Sequence, residues 1–369
     1  MAASRDQNHC SSYFWFIETI GSGYHSNSGL AAGCIYPNGT YGNSGTRRYT
    51  QRINMVCPCS TRCFSDTHIL DLDSHEWDGS DWDGLLPRYE HGSFIAHSDP
   101  RNIWVFGGAE QSLNRNCVQV FHPGSSAWKS PKVKGEAPSP RTFHTSSSAI
   151  GDKLYVFSGG EKGAEPVQDT RLHEYDAASM TWTQPMTFGN PPAPRHGHVM
   201  IAVGTKLFIH GGMAGSAFFD DMFCIDTGTR KWEHLKLKGD VPPACAAHSS
   251  VALKTYIYIF GGMTELGPVN TMYQFDTESL FWTKMKFESP CPQARLDHSM
   301  CLLPWKIRTE LSSTEKPHIK PKDNGDTNDH CDKDLECSKL DKVPLCLIFG
   351  GMNISGDLYN DCCVTLLQN

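Results

Sequence analysis

The sequence has no long hydrophobic run, no strongly basic segment and no regular cysteine framework. No apolar stretch among its 369 residues approaches the length of about 18 that a transmembrane helix needs. Lys and Arg number 33 against 40 Asp and Glu, a net charge of −7, which argues against nucleic acid as the main partner. The apolar segment Tyr13–Ile17 is too short for the core of a secretory signal. We therefore expect a cytoplasmic protein in which the scattered cysteines are buried apolar residues or free thiols.

Motifs that carry catalysis are also missing from the sequence. There is no glycine-rich phosphate loop, no His-Glu-x-x-His motif and no Gly-x-Ser-x-Gly nucleophile elbow. His196 and His198 share a strand face without a further ligand nearby in sequence. Cys57, Cys59 and Cys63 lack the spacing of a zinc site. Metal binding by His330, Cys331 and Cys337, in the insertion, is an alternative that we do not favour. The sequence therefore predicts a protein that is not an enzyme and that needs no cofactor or metal.

What the sequence does contain is an apolar segment that ends in two glycines and occurs five times. The first glycines at positions 107, 159, 211 and 261 are 52, 52 and 50 residues apart. A fixed period in this range is typical of a solenoid, a propeller or another repeat array. The pairs, to which we assign a structural role, are Gly107 and Gly108, Gly159 and Gly160, Gly211 and Gly212, Gly261 and Gly262, and Gly350 and Gly351.

A second regular feature is an apolar residue followed seven positions later by a structural tryptophan. The turn between them usually begins with Asp, whose side chain can accept a hydrogen bond from the backbone two residues on. Each unit is thus predicted to hold four short strands, which is the signature of a propeller blade. The couples are Leu70 and Trp77, Phe121 and Trp128, Tyr175 and Trp182, Ile225 and Trp232, and Phe275 and Trp282.

An arginine begins the first strand of four units, three residues before a histidine that also recurs. Residues repeated around a ring are more often structural than catalytic, and we assign the histidines to the architecture. The arginines are Arg88, Arg141, Arg195 and Arg295. In a four-stranded meander they fall on the face that carries the long loops after the glycine pairs. We expect them to ring the channel mouth, where a guanidinium can bind a partner's carboxylates. The alternative is that each pairs with a backbone carbonyl or a neighbouring acid and holds the fold together.

Together, these features resemble the kelch repeat, and the resemblance covers residues 61–369 apart from one insertion. It implies an all-β fold, a kelch-type β-propeller of about six blades, each of four antiparallel strands, with the first blade degraded. The second domain, residues 63–369, would be the propeller. Its insertion at about residues 305–343 is rich in charged residues, Ser and Pro, and we expect it to be disordered.

Residues 1–62 form a divergent N-terminal segment with two open interpretations. Either it is a degraded first blade, with a strand near Phe14–Thr19 that closes the ring, or it is unrelated to the fold. The last unit lacks a tryptophan strand, which favours closure by the N-terminus. Because proline cannot donate to a sheet ladder, we expect Ile53–Cys59 to be at best an edge strand or a broken strand. The stretch Gly21–Gly45 is predicted to be loop or disordered.

Six stretches resemble, more narrowly, the kelch proteins that act as effectors of Rab GTPases. This resemblance implies a non-catalytic scaffold that binds the GTP form of a Rab and promotes transport from late endosomes to the trans-Golgi network. It also implies a phosphoinositide kinase as a second partner, and peripheral association with endosome membranes through partners only. The alternative is a substrate adaptor or general interaction scaffold. The stretches are Leu85–His91, Asn114–Cys117, Pro138–Ser146, Pro166–Thr170, Pro194–Met200 and Leu296–Cys301.

Overall fold

The computed structural model of this chain is built from antiparallel β-sheets. It describes residues 14–17, 32–41, 47–58, 63–71, 76–80, 84–110, 113–122, 125–142, 148–162, 165–287, 291–308 and 340–367. Side chains are described within 84–303 and 344–367 of those ranges. No α-helix occurs in these parts of the chain, and hence none that is long and apolar enough to cross a membrane.

The strands are short and follow one another closely along the chain. The first seventeen are β1 (Phe14–Ile17), β2 (Ala32–Tyr41), β3 (Arg47–Pro58), β4 (Cys63–Asp71), β5 (Glu76–Ser80), β6 (Gly92–Phe94), β7 (Ile103–Phe106), β8 (Ala109–Glu110), β9 (Leu113–Asn114), β10 (Val118–His122), β11 (Ala127–Lys129), β12 (Ala149–Ile150), β13 (Lys153–Val156), β14 (Gly160–Lys162), β15 (Glu165–Pro166), β16 (His173–Asp176) and β17 (Thr181–Thr183). The others are β18 (Val199–Val203), β19 (Lys206–His210), β20 (Met213–Ala214), β21 (Ala217–Phe218), β22 (Met222–Asp226), β23 (Lys231–His234), β24 (Lys238–Gly239), β25 (Ser249–Leu253), β26 (Tyr256–Phe260), β27 (Met263–Thr264), β28 (Gly267–Pro268), β29 (Met272–Asp276), β30 (Phe281–Lys284), β31 (Ser299–Arg308), β32 (Leu340–Phe349) and β33 (Cys362–Leu366).

Five sheets of four strands and one of five strands form the blades, which we number I to VI in chain order of their first strands. Blade I is β2–β5, blade II is β6, β7, β10 and β11, and blade III is β12, β13, β16 and β17. Blade IV is β18, β19, β22 and β23, and blade V is β25, β26, β29 and β30 with β24 beside β30. Blade VI is β31–β33 with β1 at its outer edge. Four two-stranded hairpins lie in the loops between second and third strands of blades II to V.

The blades are arranged in a ring. The first strand of blade VI, β31, contacts the first strand of blade V and also β2, the first strand of blade I. β2 in turn contacts β6 of blade II, and β18 contacts both β12 and β25. The first strands therefore line the centre of the ring, as in a β-propeller. The prediction of an all-β propeller is confirmed.

The N-terminal residues contribute strands to two blades. β1 pairs antiparallel with β33, the last strand of the chain, so Phe14 lies opposite Thr365. β2 and β3 pair with β4 and β5 in one sheet, so the predicted domain boundary between residues 62 and 63 falls inside blade I. The expected loop at Gly21–Gly45 is wrong where β2 forms, because β3 supplies its hydrogen-bonding partners from Ala32 to Tyr41.

For Ile53–Cys59 the expectation of an edge strand is wrong, whereas the alternative of a broken strand agrees with the shift of register between Val56 and Pro58. These residues lie in or just beyond β3, which is flanked by β2 and β4. Pro58 lies at the end of β3 after a change of register that follows Val56. A proline is tolerated there because the ladder is already irregular at that point.

The insertion is narrower than its predicted bounds. β31 and β32 pair as far as Arg308 and Leu340, and Trp305 lies opposite Val343. Strand pairing thus continues into both ends of the predicted segment 305–343. Residues 309–339 lie outside the described part of the chain.

The tryptophan couples are cross-strand partners, as predicted from their spacing. Each couple joins the third and fourth strands of one blade across a tight turn. In three of the turns the Asp carboxylate accepts a backbone N–H group: Asp176 from Ala178 at 3.0 Å, Asp226 from Gly228 at 2.9 Å, and Asp276 from Glu278 at 2.9 Å. Hydrogen bonds in these turns help to hold the pKa of Asp226 and of Asp276 below the usual value.

The hydrophobic core lies between neighbouring blades. One cluster combines Phe208 and Cys224 of blade IV with Ile257, Phe275 and Trp282 of blade V, and similar clusters join blades II and III, III and IV, and V and VI. In blades II, III and IV an aromatic ring at the end of the second strand packs on the tryptophan of the next blade, such as Phe106 on Trp182 at 4.9 Å between ring centroids. Middle strands are therefore covered on both faces, which explains their continuous apolar sequence.

The double glycine is required because the backbone approaches the next strand closely with positive φ. At Gly212 φ is 94°, and a Cβ would come within 2.9 Å of the His196 carbonyl oxygen and the His198 Cβ. In blade III the structure places the double-glycine motif one residue earlier in the chain than the pair Gly159 and Gly160. Ser158, with φ 48°, takes the place of the first glycine, because its carbonyl accepts the same arginine hydrogen bond as that of Gly211.

Candidate functional site

The four repeated arginines lie inside the blades and have no exposed surface. Each donates from Nη1 to the carbonyl at the first position of the double-glycine motif, at 3.0 Å to Gly107, 2.9 Å to Ser158, 3.0 Å to Gly211 and 2.9 Å to Gly350. Each Nε donates to the carbonyl two residues earlier in the chain. The arginine thus ties the start of a first strand to the loop that leaves the second strand of its own blade.

The same residues also join one blade to the next through their backbone. The Arg141 carbonyl accepts a hydrogen bond from Gly108 N–H at 3.0 Å, and the Arg295 carbonyl accepts one from Gly262 N–H at 2.8 Å. Cys245 stands where blade V lacks the arginine, and its carbonyl accepts from Gly212 N–H at 2.8 Å. The interblade hydrogen bond therefore survives the replacement of arginine by cysteine.

Two of the guanidiniums are neutralised by a carboxylate and two are not. Arg295 pairs with both oxygens of Asp361 at 2.7 and 2.8 Å, and Arg195 pairs with Asp221 in the same way. Burial alone would raise the pKa of Asp361, but the hydrogen bonds and charge of Arg295 hold it below its usual value. Burial lowers the pKa of Arg141, which has no carboxylate partner among its hydrogen bonds, to about 10.

The arginines are thus placed near the channel mouth but beneath its surface. A partner could contact the guanidiniums only if the loops around them moved, and every side-chain hydrogen bond described for the four arginines is to their own blade. This geometry favours the architectural alternative that the sequence left open. Direct binding of a partner by Arg88, Arg141, Arg195 and Arg295 stays a prediction.

The repeat histidines that the structure describes are buried, which is consistent with a structural role. His91 and His298 are buried, and burial, together with the positive charge of the adjacent arginine, lowers the pKa of each to about 3. The rings are therefore neutral at physiological pH. His298 packs edge-on against Phe260 of the preceding blade at 5.4 Å between centroids. His144 lies outside the described residues.

The surface at the channel mouth is formed by residues one and two positions after the arginines. Four of them have positive φ, between 52° and 64°: Glu90, Gly197, Ala247 and Asp297. Ala247 N–H donates to the Gly197 carbonyl at 2.7 Å, and Asp297 N–H donates to the Ala247 carbonyl at 2.9 Å. This left-handed turn recurs from blade to blade and links three of them around the centre of the ring.

A pocket of about 310 Å³ opens between these turns, which we call the mouth pocket. Its charged and titratable lining is Glu90, Glu161, Asp297 and His196, and no Lys or Arg lines it among the described residues. Asn114 and Met213 of the loop hairpins complete its wall. Carboxylates in a partly enclosed site suit a cationic group, such as a Lys or Arg side chain of a partner.

Exposed apolar side chains stand at the tips of the loops around the mouth pocket. Leu113, Leu266 and Ile354 are 72%, 99% and 69% exposed, and each lies between the second and third strands of its blade. We call these three tips and the mouth pocket the docking face. Exposed apolar side chains together with charged groups are the usual composition of a protein-binding surface.

The sequence indicated the face on which the arginines lie but not that their side chains are buried. The arginines were recognisable from their repetition, whereas the pocket is lined by the residues that follow them. Glu90 and Asp297 share one position, two after the arginine, and this shared acidic character was the available signal. The loop tips gave no repeat signal, because Leu113, Leu266 and Ile354 lie in loops of unequal sequence.

One buried group could hold a metal ion, contrary to the expectation from sequence. His210, Cys245 and His248 bring their ligand atoms within 4.8 Å of one another. These residues are far apart or irregularly spaced in sequence, so no motif predicted them.

Comparison with known proteins gives two results. A sequence profile described as the KLHDC2/KLHL20/DRC7 kelch-repeats domain matches residues 56–262 and, in an overlapping placement, 149–308. A protein of Xenopus laevis called Rab9 effector protein with kelch motifs is 68% identical over 306 residues, which cover 83% of this chain and 84% of the relative. Proteins of the same name are 54% identical in Homo sapiens, over 83% of this chain and 84% of the relative, and 56% identical in Danio rerio, over 82% and 81%.

Proposed function

The chain belongs to the kelch-repeat family, and we propose that it is an effector of a Rab GTPase that binds the GTP form through its docking face. The observation that carries this proposal is the similarity to proteins named Rab9 effectors, which extends over most of both chains. The protein would act as a non-catalytic scaffold in transport from late endosomes to the trans-Golgi network.

The docking face supports this role through its composition. Leu113, Leu266 and Ile354 offer apolar contacts that lose water on binding, and the carboxylates of the mouth pocket offer a place for a cationic side chain. A net charge of −7 further favours encounter with a basic surface on the partner.

Nucleotide selectivity would come from the GTPase rather than from this chain. The switch segments of a GTPase are ordered by the γ-phosphate and released on hydrolysis. The docking face is held by the arginine hydrogen bonds and by the backbone links around the channel mouth. A rigid surface that matches the ordered switch segments binds the GTP form without changing its own conformation.

Binding to Rab9 loaded with a GTP analogue or with GDP tests the proposal. We expect the GTP-loaded form to bind at least about tenfold more tightly, a difference of about 1.4 kcal/mol. The triple variant L113E/L266E/I354E should lose this binding and keep its melting temperature, since all three side chains are exposed. Equal affinity for both nucleotide forms would instead indicate the alternative, a substrate adaptor or general scaffold.

The outer rim provides a matched control for the loop tips. Met186 and Phe188 are 74% and 58% exposed, and Phe188 runs beside the outer strand of blade IV. M186E/F188E adds like charges to exposed apolar positions away from the docking face and should leave binding unchanged. If it weakens binding as much as the loop variant does, the partner occupies the rim and the docking face is misassigned.

A second part of the proposal concerns membranes and the four arginines. We propose that the protein reaches endosome membranes peripherally through partners, which include a phosphoinositide kinase, and is otherwise cytoplasmic. Direct contact of the partner with Arg88, Arg141, Arg195 or Arg295 is kept as a separate proposal. Its test is Arg141→Lys, which retains a charge without the forked donors: unchanged Rab affinity in a folded protein rules out a direct contact.

A further inference from the structure

The interface between blades IV and V departs from the repeat at two positions that meet in space. The end of the second strand carries an aromatic ring at Phe106, Phe157 and Phe260, but blade IV has His210 there. The arginine position in blade V is occupied by Cys245. The recurring histidine of blade V, His248, lies between these two residues. Three side chains that can bind a metal therefore meet where the repeat otherwise has a phenylalanine, a histidine and an arginine.

The geometry brings the donor atoms together. His210 Nδ1 lies 3.1 Å from His248 Nε2, and their rings are nearly perpendicular at 88°. The Cys245 Sγ lies within 4.8 Å of a ring nitrogen of each. Separations of this size are compatible with one ion placed among the three atoms at the usual Zn–S and Zn–N distances of about 2.3 and 2.0 Å.

We propose that His210, Cys245 and His248 form a binding site for a thiophilic d¹⁰ metal ion, Zn(II) or Cu(I), which clamps blade IV to blade V. Thiolate and imidazole ligands suit both ions. A coordination position left open by three protein ligands can be empty for Cu(I) or filled by water for Zn(II).

The surroundings of the cluster suit a structural site. All three side chains are buried. His210 also packs on Trp282 at 5.2 Å between centroids, which fixes the position of its ring. Burial raises the pKa of Cys245 to about 12, so the metal-free protein holds a thiol, and ion binding must release its proton to the solvent. Ala246, the neighbour of Cys245 in the chain, lines the mouth pocket.

The alternative is a hydrogen-bonded histidine pair that packs without a metal. The two interpretations differ in what the variants H210F and C245A do. Phenylalanine is the residue that this repeat uses at the position of His210, so H210F is expected to fold. C245A removes the thiol and leaves the backbone carbonyl that accepts from Gly212.

Elemental analysis and competition with a chromophoric chelator test the proposal on the full chain. Zn(II) is titrated in one arm, and Cu(I) is titrated under anaerobic, reducing conditions in the other. We expect about one ion per chain in the wild type for at least one of the metals, and at least a tenfold loss of affinity in H210F and in C245A. The C346A variant removes an equally buried cysteine that has no part in the cluster, and it should bind as the wild type does.

Thermal unfolding gives a second readout that does not depend on partner binding. The preferred ion should raise the melting temperature of the wild type and of C346A, and leave that of H210F unchanged. The proposal is overturned if neither ion binds the wild type, or if H210F and C245A both retain it. Because the cluster lies beneath the docking face, these outcomes do not depend on whether the chain binds a Rab.

Discussion

The interfaces on the two sides of blade V use the same backbone contact but different side chains. Between blades V and VI, Gly262 N–H donates to the Arg295 carbonyl, and the Arg295 side chain pairs with Asp361. Between blades IV and V, Gly212 N–H donates to the Cys245 carbonyl. The backbone hydrogen bond between neighbouring blades therefore forms whether arginine or cysteine supplies the carbonyl.

Blade V has lost its arginine and its acid together. Gly211 N–H and Gly350 N–H donate to the carbonyls of Asp221 and Asp361, the acids that pair with Arg195 and Arg295. The residue in that place in blade V is Thr271, which accepts from Gly261 N–H at 3.2 Å. Loss of the cation without the anion would leave a carboxylate unpaired, so the paired replacement avoids that cost. Departures from the repeat are therefore the places to look for a special role.

The largest expected effect comes from breaking the ion pair of blade VI. R295A removes the hydrogen bonds to Gly350 and Gln293 and leaves Asp361 unpaired in a half-buried position, so we expect a loss of about 3 kcal/mol in the free energy of unfolding. C245A at the equivalent position of blade V should cost only about 1 kcal/mol. Urea unfolding of the two variants measures this contrast. Equal losses would show that the arginine does not stabilise its blade through these contacts.

The shared backbone contact should be equally sensitive at both interfaces. G212V and G262V each place a Cβ against a carbonyl oxygen and a histidine Cβ, at positions with φ of 94° and 97°. We expect each to reduce the free energy of unfolding by about 2 to 4 kcal/mol. The control is G215A, where φ is also positive but no atom lies within 4 Å, so only the smaller backbone cost of about 1 kcal/mol applies. Melting temperatures of G212V or G262V near that of G215A would contradict this account.

The buried histidine beside Arg295 should make the protein sensitive to acid. The pKa of His298 is lowered from 6.5 to about 3 by burial and by the charge of Arg295. A neutral histidine in the folded state contributes stability that is complete above the unfolded pKa and is lost as the pH falls from 6.5 toward the folded pKa. At about pH 5 the loss should be about 2 kcal/mol.

The variant H298L isolates this contribution. Its free energy of unfolding, measured by urea at several pH values, should fall less steeply below pH 6.5 than that of the wild type. Parallel pH profiles for the two proteins would mean that folding does not lower the pKa of His298.

The smallest expected effect is a coupling between two positions in blade V. C245R places a buried charge without an acid, which should be destabilising, and T271D supplies the acid that blades IV and VI have. We expect the double variant to be more stable than the sum of the single changes by about 1 to 2 kcal/mol in a double-mutant cycle. A coupling energy near zero would show that the arginine–aspartate pair is not an exchangeable unit of this fold.

The sequence predicted the features that repeat. The couples such as Phe275 and Trp282 are paired across strands because a fixed spacing reflects one turn geometry used in every blade. The Asp residues of the turns were also predictable, since their hydrogen bonds are local in sequence. The face that carries the long loops followed from strand order alone.

Features that depend on a single blade were not predictable in the same way. Ser158 stands where other blades have a glycine, because the backbone conformation at this position recurs from blade to blade whereas the residue type does not. β3 is an inner strand even though it ends in Pro58, because its neighbours, and not its own propensity, fix its place. The burial of the arginines and the meeting of His210 with Cys245 arise from packing between blades. A single sequence shows that a residue departs from the repeat, but it does not show which residues that side chain contacts.

Hydrogen–deuterium exchange of the chain, alone and with GTP-loaded Rab9, tests the assigned docking face most directly. We expect protection in the loops after the double glycines, at Ala109–Asn116, Glu161–Asp169, Met213–Asp220 and Met263–Asn270, and in the loop of blade VI that holds Ile354. Protection confined to the opposite face, at the turns between first and second strands such as 203–206 and 253–256, would contradict it.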